Sequence, residues 1–239
     1  MRRSQLMPPL TLTAIPVAAA VLGAIVTAWR PPGRQAINAI QHFAAGVVFA
    51  AAAAEILPDL KHAGAVWPVM IGGFLGIVAM LMIQQVEKRV GDPFGFLATA
   101  GVDLFIDGLV LGLAFLAGAR QGLLLTIALT IEIVFLGLTV ATALSSGGWK
   151  KSISVTALLV LLLPVGSLLA WPIGRLPEPV ITGFLAFGLV ALLYLVTEEL
   201  LVEAHETPDR PWTAAMFFVG FLLLLLLADL MEASAVSSA

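Results

Sequence analysis

The chain has 239 residues, 60% of them hydrophobic and 11% charged, with a formal net charge of −3 and a mean hydropathy of +1.06. Soluble domains run nearer to about 45–50% apolar and about 25% charged, so the solvent for most of this surface is lipid. The lack of cysteine excludes disulfides, thiolate ligands and cysteine nucleophiles, and so small a charge, with no Lys/Arg cluster, gives no footing for a nucleic-acid partner.

A bilayer core of about 30 Å takes roughly 20 apolar residues per helix. Charge and Pro/Gly clusters cut the chain into eight such stretches, at about 8–29, 36–57, 64–86, 95–118, 122–144, 152–173, 179–201 and 212–231. The breaks are "WRPPGR", "PDLKHAG", "EKRVGDP", "AGARQG", "SSGGWKK", "GRLPEP" and "EAHETPDRP", short and polar as surface loops should be. The expectation is one domain, residues 1–239, folded as an all-α polytopic bundle of eight transmembrane helices. "MRRSQLMPPL" resembles the start of a signal peptide, but the first stretch is as long as the others and is read as a retained helix, with cleavage the alternative. Arg2, Arg3, Lys61, Arg120 and Arg175 fall on one side; Arg30, Arg34, Lys88, Arg89, Lys150, Lys151 and Arg210 fall on the other. The positive-inside rule then puts both termini outside, in the plasma membrane of a prokaryote.

All twelve Lys and Arg lie in loops or at span ends, whereas carboxylates lie inside the spans. Asp103 and Asp107 are in the fourth, Glu132 in the fifth, Glu55 near the end of the second, Glu198 and Glu199 late in the seventh, and Asp229 late in the eighth. One Asp at the centre of a membrane helix costs about 2.5–3.5 kcal/mol, so such acids are functional candidates. With no base at mid-membrane, they are either protonated or bound to a cation. Asp103 and Asp107 stand i and i+4 on one helical face, and a divalent cation between them would relieve their repulsion.

The fourth span reads "VDLFIDGLVLG" and the fifth "IEIVFLGLTVA". Aligned without gaps, Asp103 meets Glu132, Gly108 meets Gly137 and Leu109 meets Leu138, while Asp107 meets Leu136. Two neighbouring helices would each offer an acid to one central site, with glycines allowing close approach.

At this point the chain resembles the ZIP (Zrt/Irt-like) family of divalent metal transporters. The second span, "QHFAAGVVFAAAAAEILPDL", is similar to that family's "HHFAAGVFLATALLHLLPE", with Glu55 where a histidine is usual. The seventh, "LLYLVTEELLVEAHE", is similar to "MLYVVVEELIPEA" and puts Glu198 and Glu199 at its charged pair. The fourth and fifth spans resemble the family's "H/Q-N-x-P-E-G-L" helices, which hold the transport site. The resemblance implies eight helices, extracellular termini and a divalent cation (zinc, manganese or iron) as the transported substrate, with no organic cofactor and a homodimer left open. The departures fall on the site. The fourth-span His, Asn, Pro and Glu become Asp103, Leu104, Ile106 and Asp107, and those of the fifth become Glu132, Ile133, Phe135 and Leu136. Leu104, Ile133 and Leu136 cannot ligate, so one metal site of a pair is lost and Asp103, Asp107 and Glu132 remain. Such an all-carboxylate site is hard and favours Mn, Mg, Ca or ferrous iron over a zinc-selective set.

His42, Glu55, Glu198 and Glu199 are candidates for the pathway to that site. His42 reads more readily as a backbone or headgroup contact than as a ligand, and Glu55 reads equally as a water-facing edge residue. His62, His205 and Asp229 read as surface or interfacial. No nucleophile has a His–acid pair, and "GxSxG" and "HExxH" are missing, so no enzyme is expected. The alternative to transport is a ZIP-like membrane protein with a structural, regulatory or sensing role.

Overall fold

The computed structural model describes residues 7–90, 94–205 and 210–237, and among these helix is the only regular structure. Eight helices are long and apolar enough to cross a membrane: α1 (Leu10–Trp29), α2 (Arg34–Ala63), α3 (Val66–Val90), α4 (Phe94–Ala117), α5 (Ala119–Ala143), α6 (Trp149–Ile173), α7 (Glu178–His205) and α8 (Pro211–Ala233). Each expected stretch has become one of them, so the protein is an all-α polytopic membrane protein. Residues 1–6 of the stretch on which a signal peptide was weighed, and residues 206–209, lie outside the described residues.

The largest boundary difference is in α2. "PDLKHAG", read as a break, stays helical as far as Ala63. Pro58 costs nothing there because it sits in the first turn after a π-helical turn, where an amide proton would go unused. Gly64 then ends the helix at φ 60°, a left-handed conformation suited to glycine. α7 likewise runs on to His205, one turn beyond its apolar run.

Three helices are irregular. α2 carries a π-helical turn over Ala52–Ile56 and α7 one over Leu195–Leu200. α6 is broken between Leu159 and Leu162. Pro164 explains that break, since its ring clashes with the carbonyl four residues back, at Val160. α4 and α5, which carry Ile106 and Phe135 instead of proline, run without interruption.

Lipid offers apolar helices no hydrophobic reason to associate, so packing rests on close approach of backbones through small residues. Four pairs show it. Gly23 and Gly137 bring α1 onto α5, against the carbonyls of Val134 and Ala20; Gly46 and Gly220 bring α2 onto α8, against those of Phe217 and Phe43. Gly108 and Gly166 seat α4 on α6, against Leu163 and Phe105, and Gly72 and Gly76 seat α3 on α7, against Gly183 and Phe187. α4 is the most enclosed, 72% buried over its apolar window, against 17% for α3 and for α8. Thus α2, α4 and α5, each at least 61% buried, form the inside, and the other five helices surround them.

These contacts repeat along the chain. Ala20 with Gly137 and Gly23 with Val134 are matched by Leu163 with Gly108 and Gly166 with Phe105. The matched positions differ by 143 between α1 and α6 and by 29 between α4 and α5, the second being the spacing of the Asp103–Glu132 alignment. Similarly Gly46 with Phe217 and Phe43 with Gly220 are matched by Val190 with Gly73 and Phe187 with Gly76, each 144 apart. The π-helical turns follow the same spacing. Helices α1–α3 and α6–α8 are therefore two copies of one arrangement. Alternate crossings make them run in opposite directions, with α4 and α5 exchanging places between them.

Candidate functional site

Alternation of eight crossings puts the connections at 30–33 and 144–148, with the end of α3 and the start of α4, on one side of the membrane, and those at 64–65, 118 and 174–177 on the other. Asp107 and Glu132 fall near the middle of α4 and α5, and Asp103 one turn nearer the 144–148 side. All three are buried, Asp107 to 2% and Glu132 to 5% exposure.

A cavity of about 210 Å³ joins them. It is lined by Phe96, Thr99, Ala100, Asp103 and Asp107 of α4, by Glu132, Phe135, Leu136 and Thr139 of α5, and by Leu195, Glu198, Glu199, Leu200 and Glu203 of α7. Six carboxylates thus face one space, and no Lys, Arg or His is among the lining residues. The lining follows from helix geometry: Thr99, Asp103 and Asp107 are spaced by four on α4, and Glu132, Leu136 and Thr139 by four and three on α5. The Thr99 hydroxyl donates to the Gly95 carbonyl at 3.1 Å and Thr139 to that of Leu136 at 3.0 Å, which leaves each threonine oxygen able to accept or ligate. Glu132 Oε2 is buried and has no hydrogen-bond partner. From the middle of the bundle the cavity runs toward the 144–148 side, where α4 begins and α5 and α7 end.

The structure brings Glu198 and Glu199 to the same cavity as Asp103, Asp107 and Glu132. Glu203 belongs there too, and sequence reasoning missed it because it lies past the apolar run in what looked like a loop. Its carboxylate accepts from Gln41 Nε2 at 2.9 Å, tying α7 to α2. Among the described residues no three His, Asp or Glu side chains are already gathered at metal-holding separation. The acids share a cavity without being drawn onto a point.

The other candidates lie elsewhere. His42 is buried, with Nδ1 3.0 Å from the Asn38 carbonyl and its ring edge-on to His205 at 5.4 Å. His62 and Asp59 line a separate, wider opening on the 174–177 side, with Glu178 and Thr182. Glu55 is 4% exposed and sits in the π-helical turn of α2. It does have a base: Arg120, at the start of α5, stands 3.5 Å from its Oε1 and 3.4 Å from Glu232 Oε2, and donates to the Ala228 carbonyl at 3.3 Å. The chain matches no family model, and no curated protein matches its sequence.

Proposed function

We propose that the protein carries a divalent metal cation across the membrane through the cavity between α4, α5 and α7, with Asp103, Asp107 and Glu132 as its midplane ligands. The observation that supports this most is the acidic cavity itself: six carboxylates from three helices with no base among its lining residues, one of them holding a buried oxygen without a hydrogen bond. Acids buried in lipid are neutral unless a positive charge balances them, and with no base in the lining a cation is what would hold them ionised. Glu198, Glu199 and Glu203 would pass the ion between the open side and the midplane. Because no three ligands are already gathered, binding would draw side chains inward, and a small part of the site's affinity is lost to that ordering. Cation uptake into proteoliposomes, compared between the parent and Asp103→Asn, tests the reading; uptake unchanged by the substitution would refute it.

The same scattered ligands, with Leu136 on the cavity wall, are what favour the second reading, a ZIP-like protein with a structural, regulatory or sensing role. Flux separates the two.

The charge split orients the molecule with the open cavity toward the cytoplasm and both termini outside. Cysteines introduced at Ser4 and at Ser237 should then react with an impermeant reagent applied to intact cells. Reaction only after permeabilisation would reverse the orientation.

Hard oxygen ligands should remove the preference for zinc without removing zinc binding, since affinity still rises toward zinc in the series of divalent metals. Carboxylates ligate only when ionised, so protons compete with the metal and binding should weaken as pH falls. Titration calorimetry with Zn²⁺ and Mn²⁺ at pH 7 and near pH 5 checks both; a zinc preference of roughly a thousandfold, or affinity indifferent to pH, would count against a carboxylate site.

A further inference from the structure

The two copies of the fold predict where a second half of the path should lie. Thr99, Ala100 and Thr139 line the open cavity, and at the 29-residue spacing their counterparts are Ala128, Leu129 and Val110, all buried to 1% exposure or less. At the 144-residue spacing Glu199 corresponds to Glu55, and both occupy π-helical turns. One acid faces an open cavity; the other is closed in and paired with Arg120.

We infer that the packed seam along Ala128, Leu129 and Val110 is the closed counterpart of the open cavity, leading from the midplane acids to the 174–177 side, and that Arg120 is the latch that shuts it by pairing with Glu55 and Glu232. The placement fits the role. Arg120 is at the first turn of α5, so its guanidinium ties α5 to the π-helical turn of α2 through Glu55 and to the end of α8 through Glu232 and the Ala228 carbonyl. For the seam to open, α5 must part from α2 and from the α8 seated on it. At 3.5 Å the Arg120–Glu55 contact is an ion pair without hydrogen-bond geometry, and Glu55 Oε1 and Arg120 Nε are both buried without a hydrogen-bond partner. On release Arg120, a third exposed and still beside Glu232, loses little, whereas the buried Glu55 carboxylate then needs a new counter-charge. An arriving cation could take the place of the guanidinium beside Glu55, coupling entry to unlatching.

The inference rests on the transport reading, but its test does not need flux. The chain has no cysteine, so single cysteines give a clean signal. Ala128→Cys reports on the closed seam, Thr99→Cys on the open cavity as a reference rate, and Ala24→Cys, fully buried in α1, on general loosening. Each is reacted with a small water-soluble thiol reagent in lipid nanodiscs, where both faces are wet. Adding Arg120→Ala should speed labelling of Ala128→Cys by about tenfold or more relative to the Thr99→Cys reference, the population change expected from about 1.4 kcal/mol of lost closure. Ala24→Cys should stay unreactive and Arg120→Lys should keep the seam shut. Glu55→Gln, which leaves Arg120 its exposed partner Glu232, should act in the same direction if Arg120→Ala does not fold. Labelling of Ala128→Cys as slow as in the parent, or Ala24→Cys speeding up alongside it, overturns the latch. A protein that moves no cation can still pass this test, and one whose uptake depends on Asp103 can still fail it.

Discussion

Asp107→Asn is expected to lower Mn²⁺ affinity by roughly a hundredfold or more while the protein stays folded. Losing a residue that only supports a metal ligand costs about 10–100-fold, and Asp107 is argued to be a ligand itself. The amide keeps the volume of a side chain that is 2% exposed and packed inside the most enclosed helix, so the fold should survive. Removing a charge from lipid depth would, if anything, ease folding. Titration calorimetry gives the affinity, and circular dichroism with gel filtration checks the fold. Leu136→Ala, on the same cavity wall but without an oxygen, should change affinity far less. If Asp107→Asn bound Mn²⁺ as tightly as the parent, Asp103 and Glu132 would not share their ion with it.

Gly108→Ala is expected to be among the most destabilising single-methyl additions. Its Cβ would overlap the Leu163 carbonyl, and backbone on both sides leaves nothing flexible to yield. Overpacking of this kind costs typically 1–3 kcal/mol or more, which at roughly 2–4 °C per kcal/mol corresponds to a fall in Tm of about 2–12 °C for a chain of this length. Gly73→Ala is the contrast, because its nearest neighbour would be Val190 Cγ2 at 3.6 Å, an ordinary contact. Thermal unfolding in one detergent compares them directly. Equal shifts would mean that close approach of α4 and α6 is not what holds that pair together.

The eight crossings were legible because lipid selects for apolar length alone, and the breaks carry the charge. Asp103, Asp107 and Glu132 were legible for the same reason, as acids standing out in apolar runs. Glu203 was not: the apolar run stops near Leu201, and only its contact with Gln41 and its place on the cavity show that α7 continues as a working helix. The partner of Glu55 was hidden because Arg120 is three helices away in sequence and reads as a loop charge. The π-helical turns leave no mark in composition, since "AAAEI" and "LVTEEL" are ordinary helix sequences whose hydrogen-bond register is set by their neighbours. The doubling of the fold was readable only in α4 and α5. Elsewhere the two copies share shape more than letters, with Gly23 and Gly166, Phe43 and Phe187, and Glu55 and Glu199 among the few identities.

The four glycine-seated pairs also divide the molecule mechanically. Backbone meets backbone within α1·α5, α2·α8, α3·α7 and α4·α6, whereas between pairs the glycine contacts are with side chains, as where Gly188 of α7 meets Val110 of α4. The acidic cavity is bordered by α4, α5 and α7, one helix from each of three pairs. An apolar side chain facing another helix gains little over the same side chain facing a lipid tail. The bundle is therefore stiff inside each pair and soft along the joints between them, and the cavity lies on those joints, where a change in width asks no helix to leave its closest neighbour.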